Sequence, residues 1–272
     1  ADNNTAVGDS ALKANTTGHS NTGIGQGALQ ATTDGDQNVA VGNSALTAAT
    51  TAGSNTAIGH DALCANTTGG QNNAFGDGAM DANTTGCRNV AMGNASMGKN
   101  TEGVCNVAIG YRALICNVTG DKNTAVGASA LSENTTADNN TALGFESLIC
   151  NTTGTANLAL GAYAMCLNTT ANDNTAVGVA ALLVNTTGAQ NTAIGRSALT
   201  ANTTGCRNIA IGYNSLAVNT TGCCNVSIGR TALDANTEGD FNTAVGNSAL
   251  SENTTADNNT AVGYFAMNAN TT

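Results

Sequence analysis

From Asn191 to Gly205 the chain reads NTAIGRSALTANTTG. The pattern returns 17 residues earlier and 17 residues later, and sixteen gapless units account for all 272 residues. Counted from Ala1, the consensus unit is GxxNTAVGxxALxxNTT. A short, unbroken period marks an architecture in which one small unit stacks on copies of itself. Position 4 of the unit is always Asn (Asn4, Asn21, Asn38, Asn55, Asn72, Asn89, Asn106, Asn123 and their successors). Position 8 is always Gly, beginning with Gly8, Gly25, Gly42 and Gly59. Position 7 is always a large apolar residue, position 12 is Leu or Met, and positions 6 and 11 are nearly all Ala. Position 15 is Asn in fourteen units, whereas positions 2, 3, 9, 10, 13 and 14 vary freely. A longer period overlies this one, because residues 130–142 (ALSENTTADNNTA) recur at 249–261, seven units later.

Helix is a poor fit to units so rich in glycine and β-branched residues. The pattern predicts an all-β fold, a parallel β-solenoid (β-helix or β-roll) of sixteen 17-residue coils forming one repeat domain over residues 1–272. Each coil is expected to carry two short strands, NTAVG and AL. Stacking at the usual strand spacing would give a rod of about 75–80 Å. The first and last units are not atypical, so the stretch is expected to be uncapped and to belong to a longer array or polymer.

Strand alternation separates position 7 from its neighbours. The expectation is that the Val7 column points inward, with Ala6 and Gly8 on the other face. The Asn columns at positions 4 and 15 should form corner ladders, since an amide offers two donors and an acceptor. Gly at position 8 and Gly or Ala at position 1 should permit bends or positive φ. Two large aliphatics per coil contribute about 1.5–3 kcal/mol each on burial. Ordering 17 backbone residues costs about 1–2 kcal/mol per residue, so lateral association is expected to supplement the core.

Composition narrows the function. Hydrophobic residues make up 41% of the chain but aromatics only 3%, with no Trp and no Pro, which suits a core one side chain wide. The net charge is −10 and only eight Lys or Arg are present, scattered along the chain. Nucleic-acid binding, which needs clustered cations, is not expected. Nor is membrane insertion, because no apolar run approaches a membrane span.

Few residues offer chemistry. His19 and His60 fall at unlike positions, and the acidic residues form no paired arrangement. The V-G-x-x-A core matches the hexapeptide signature of left-handed β-helix acyltransferases only once per 17 residues. The reading is therefore a non-enzyme without cofactor or metal. Nine cysteines suggest an oxidising compartment. Cys206 and Cys223 share a column in adjacent units, while Cys150 with Cys166 and Cys87 with Cys105 lie one column apart. Disulfide staples and free thiols are the two readings. The N-T-T triplet offers N-glycosylation acceptors at Asn15, Asn66, Asn83, Asn117, Asn134 and Asn151, among others. A corner turn held by Asx and Thr side chains explains the same triplet. Aromatics gather at positions 9 and 10 (Tyr111, Phe145, Tyr163, Tyr213, Tyr264 and Phe265) and suggest a contact stripe. Threonine columns raise ice binding, although adjacent Thr16 and Thr17 should point to opposite sides.

The unit NTAVGxxALxxNTTG, as at 191–205, resembles repeats of phage and large-virus tail-fibre-like β-solenoid proteins. It resembles more loosely the A-I-G repeats in the heads of trimeric autotransporter adhesins. The resemblance implies a rigid extracellular, cell-surface or virion-surface fibre, often trimeric. The expected function is a structural fibre or filament subunit with an adhesive use. Its main partner would be itself, as homotrimer, lateral bundle or head-to-tail filament, with a cell-surface receptor or glycan as a further partner. The alternatives are an ice-binding solenoid and a receptor- or carbohydrate-binding adhesin.

Overall fold

The computed structural model describes residues 1–271 as two compact units, Ala1–Asp138 and Asn139–Thr272. In the first, each 17-residue repeat makes one coil with one three-residue strand at positions 5–7. These strands are β1 (Thr5–Val7), β2 (Thr22–Ile24), β3 (Val39–Val41), β4 (Thr56–Ile58), β5 (Asn73–Phe75), β6 (Val90–Met92), β7 (Val107–Ile109) and β8 (Thr124–Val126). Neighbours pair in parallel with every residue beside its equivalent 17 positions on, as Thr5 with Thr22 and Val7 with Ile24. The second unit repeats this with β9 (Thr141–Leu143), β10 (Leu158–Leu160), β11 (Thr175–Val177), β12 (Thr192–Ile194), β13 (Ile209–Ile211), β14 (Val226–Ile228), β15 (Thr243–Val245) and β16 (Thr260–Val262). All sixteen strands belong to an all-β, parallel solenoid, and the described residues contain no helix.

Backbone bonding between coils extends well beyond the strands. Thr22 N–H donates to Asn38 C=O, Leu29 to Ala45, Ala31 to Thr47 and Thr33 to Thr50, all toward the next coil. Gly25 donates back to Val7, Gly27 to Asp9 and Gln37 to His19. Around the coil, peptides thus point alternately forward and back, which satisfies the main chain without long strands.

Two expectations need correction. The A-L segment is not a second strand. Its Leu or Met has φ near +50° in every coil, from Leu12 at 52° to Met267 at 47°, which is left-handed rather than β conformation. The direction of the strand is also reversed: Ala40, Ala57, Ala74, Ala91, Ala108 and Ala125 are fully buried, whereas the position-7 side chains face out. Position 6 abuts the opposite wall. A Cβ on Gly23 would lie 3.3 Å from the Ala28 carbonyl oxygen and 3.4 Å from Leu12 Cγ. Only Ala, Gly or Ser fits that gap. Ser227 shows how close the walls are, since its hydroxyl donates to the Ala232 carbonyl at 2.7 Å.

The core is therefore a file of alanines from positions 6 and 11 capped by the position-12 leucines and methionines. Left-handed backbone costs an ordinary residue about 1–2 kcal/mol, and burying a leucine returns about 1.5–3 kcal/mol. The strain at position 12 is thus covered by the side chain it turns inward. Of the two alternatives at position 1, bends or positive φ, its glycines do not adopt positive φ, and Ala52, Ala137, Ala171 and Ala256 occupy the same column. Close approach of the next coil, not φ, keeps that column small.

Candidate functional surfaces

Position 4 brings the chain round a corner and turns its amide inward. In the first unit Asn21 N–H donates to Asn4 Oδ1 at 2.9 Å, and the same bond recurs from Asn38 to Asn21, Asn55 to Asn38 and Asn72 to Asn55. It continues from Asn89 to Asn72, Asn106 to Asn89 and Asn123 to Asn106. Each Nδ2 also donates to a position-1 carbonyl, as Asn89 to Gly103 at 2.8 Å. Asn140 through Asn259 build the same corner in the second unit, with Asn157 N–H on Asn140 Oδ1 and Asn259 N–H on Asn242 Oδ1.

Position 15 makes a second ladder directly between side chains. Nδ2 of Asn83, Asn100, Asn117 and Asn134 donates to Oδ1 of the preceding Asn at 2.8–2.9 Å. Asn151 to Asn253 repeat the pattern, with Asn168 Nδ2 donating to Asn151 Oδ1. This geometry removes the glycosylation reading. Asn66, Asn83, Asn117, Asn134 and Asn151 are wholly buried, and the amide nitrogen that would carry a sugar is already a donor inside the coil. Asn15 is half-buried, with its Nδ2 on the Gly18 carbonyl.

The second ladder is interrupted at Thr32 and Ala49, which leaves Asn15 Oδ1 and Thr32 Oγ1 buried without a partner. Thr32→Asn alone would pair Asn15 Oδ1 but leave its own new Oδ1 facing Ala49, so one orphan would remain where there are now two. The double change Thr32→Asn with Ala49→Asn is expected to close the file through to Asn66 and stabilise the unit by about 2–4 kcal/mol. Thermal unfolding checks this, with the single change giving about half the gain.

A third, partial ladder runs along position 2. There the side chain accepts the N–H of the coil before: Asp36 from His19, Asp121 from Val104, Asp138 from Asp121, Asp240 from Cys223 and Asp257 from Asp240, all at 2.7–2.8 Å. Cys223 stands in this series, its sulfur taking the Cys206 N–H at 3.0 Å. The two Sγ atoms are also 3.0 Å apart, both as thiols. Burial, then the hydrogen bond to Cys206, pushes the Cys223 thiol up. Cys224 lies beside them through its N–H on the Cys206 carbonyl, and Cys105 takes the same place beside Cys87. Cys150 and Cys166 are neighbours through Cys150 N–H on the Cys166 carbonyl. Cys166 is pushed up to about 11, first by burial and then by Cys150 and Glu146.

Mild oxidation with a low-molecular-weight disulfide is expected to join Cys206 and Cys223, the reagent's S–S bond breaking as it takes up two electrons and two protons and leaves as two thiols. Closing this loop stabilises by about 3 kcal/mol. Peptide mapping should show a loss of two hydrogens on this pair, and pairing through Cys224 instead would contradict it.

The six aromatics at positions 9 and 10 are all exposed, but they do not form one stripe. Phe145 and Tyr163 meet edge to face at 5.4 Å, and so do Tyr264 and Phe265 at 4.4 Å. Tyr213 lies under the Arg230 guanidinium at 5.9 Å, while Tyr111 sits in the first unit. His60 contacts Asp77 and Asp61 in the open. A trough over positions 13 and 14 is lined by Lys13, Ala14, Gln30, Ala31, Thr47 and Ala48, where Lys13 is the one ionisable group. Burial pushes the Asp81 and Asp234 carboxyls up. Among the described residues, no group of three or more His, Cys, Asp or Glu could hold a metal ion, and no helix is long and apolar enough to cross a membrane.

The surface that sequence reasoning missed is the position-7 column. Ten of its sixteen side chains are exposed, from 37% for Ile109 to 70% for Val262, and the other six are half-buried. Its constant apolarity is visible in the sequence, where it reads as the mark of a core. Compared with known proteins, the chain matches no family model and no curated sequence.

Proposed function

We propose that this chain is a structural subunit of an extracellular, cell-surface or virion-surface fibre, assembled from several copies of itself and used in adhesion. The observation that carries this reading is the sameness of the coil-to-coil bonding. Each coil offers the next one the same backbone donors, the same Asn at position 4 and, with two exceptions, the same Asn at position 15. Such a stack gains stiffness and length simply by adding copies. The exposed aromatics at positions 9 and 10 are the points where a receptor or glycan would attach. Negative-stain microscopy and solution mass test the proposal: rods containing more than one chain are expected, and compact single-chain particles would oppose it.

A second reading, ice binding, is favoured by one observation. Nine of the sixteen strands put a Thr at position 5 on the same outward side as the position-7 aliphatic. A monomer that produces thermal hysteresis would select it.

A further inference from the structure

We infer that the outward sheet face formed by positions 5 and 7 is where a second copy of this chain packs, sheet against sheet. The inference rests on the fibre reading and names its surface and partner. Solvent exposure alone does not explain the composition of this face. Positions 9, 10, 13 and 14 are also surface columns, and they hold Asp9, His60, Arg112, Glu146, Arg196 and Lys13. Position 7 holds only Val, Ile, Leu, Met or Phe in sixteen coils. Strand propensity does not explain it either, because threonine and tyrosine suit a strand as well as valine does. Position 5 of the same strands is Thr nine times, whereas position 7 is never Thr. Something apolar must meet position 7, and the coil's own core does not.

A second copy fits on two counts. An aliphatic row repeating at about 4.8 Å is matched along its length by another stack of the same rise, and two such faces interdigitate at about 10 Å. None of the chain's 18 acidic residues lies at position 5 or 7, so two chains of charge −10 can approach there without opposing carboxylates.

The test compares two lysine pairs by solution mass, with circular dichroism to confirm folding. Ile194→Lys with Ile228→Lys is expected to reduce the assembly to single chains. Leu167→Lys with Val218→Lys, on exposed apolar positions of another wall, should leave it intact. As an independent readout, Ile211→p-benzoylphenylalanine in the unaltered background should photo-crosslink chain to chain. If the wild type is multimeric but the first pair stays assembled and no crosslink forms, this face is not the interface, and the fibre reading survives. If the wild type is a single chain without crosslinks, both fail. A single chain showing thermal hysteresis would give the face to ice.

Discussion

Gly195→Ala is expected to disrupt the stack between β12 and β13, at a cost of roughly 4 kcal/mol or more. Gly195 has φ +132°, a region closed to side chains, and a Cβ there would lie 2.5 Å from the Gly212 carbonyl oxygen and 2.7 Å from its carbon. The obstacle is main chain of the next coil, and it cannot move without breaking the Gly212 N–H bond to Ile194. Gly188→Ala is the informative control. Its Cβ would come even closer to a carbonyl, 2.3 Å from Gly205. Yet φ there is not positive, and alanine already fills that column in other coils, including Ala171 and Ala256. Its cost should stay below about 2 kcal/mol. Hydrogen exchange reads the difference locally, as lost protection in the coils around Gly195 but not around Gly188. Equal effects would mean that contact distance, not backbone conformation, keeps position 8 glycine.

Asn89→Ala is expected to cost about 2–4 kcal/mol, the second large effect. Its Oδ1 accepts the Asn106 N–H at 2.9 Å and its Nδ2 donates to Gly103 at 2.8 Å, both inside the coil. Alanine would strand the buried Asn106 N–H, worth about 1–3 kcal/mol when left unpaired, and remove one of the two donors on the Gly103 carbonyl, which keeps Asn100 Nδ2. Asn94→Ala, at an exposed position 9, removes only a surface bond to Asp77 and should change stability by less than about 0.5 kcal/mol. Chemical or thermal unfolding of the two variants side by side measures the contrast.

Much of this was legible in the residues. Glycine every 17 positions could only mean stacked equivalents, and an invariant Asn in a stacked file calls for amide bonding between coils. The adjacency of Cys206 and Cys223 followed from the same register. The glycosylation motifs misled because a sequon is a local pattern. Whether Asn66 Nδ2 is available depends on Asn83, one coil away, and on which way the corner turns. The aromatics at positions 9 and 10 were correctly grouped by column, but their pairing depends on rotamers set in three dimensions.

The linear order of residues by itself determined the 17-residue period, the parallel in-register stacking and the two asparagine files, because each needs only that like residues lie above like. Alternation also placed positions 6 and 7 on opposite sides of the strand. Which of the two points inward was decided only by the tertiary structure. Hydropathy alone favours Val7 and its equivalents inside, but the opposing wall, Ala28 against Gly23, leaves room for no more than a methyl or hydroxymethyl group. Volume therefore overrode hydropathy, turning alanine inward and the aliphatic column outward.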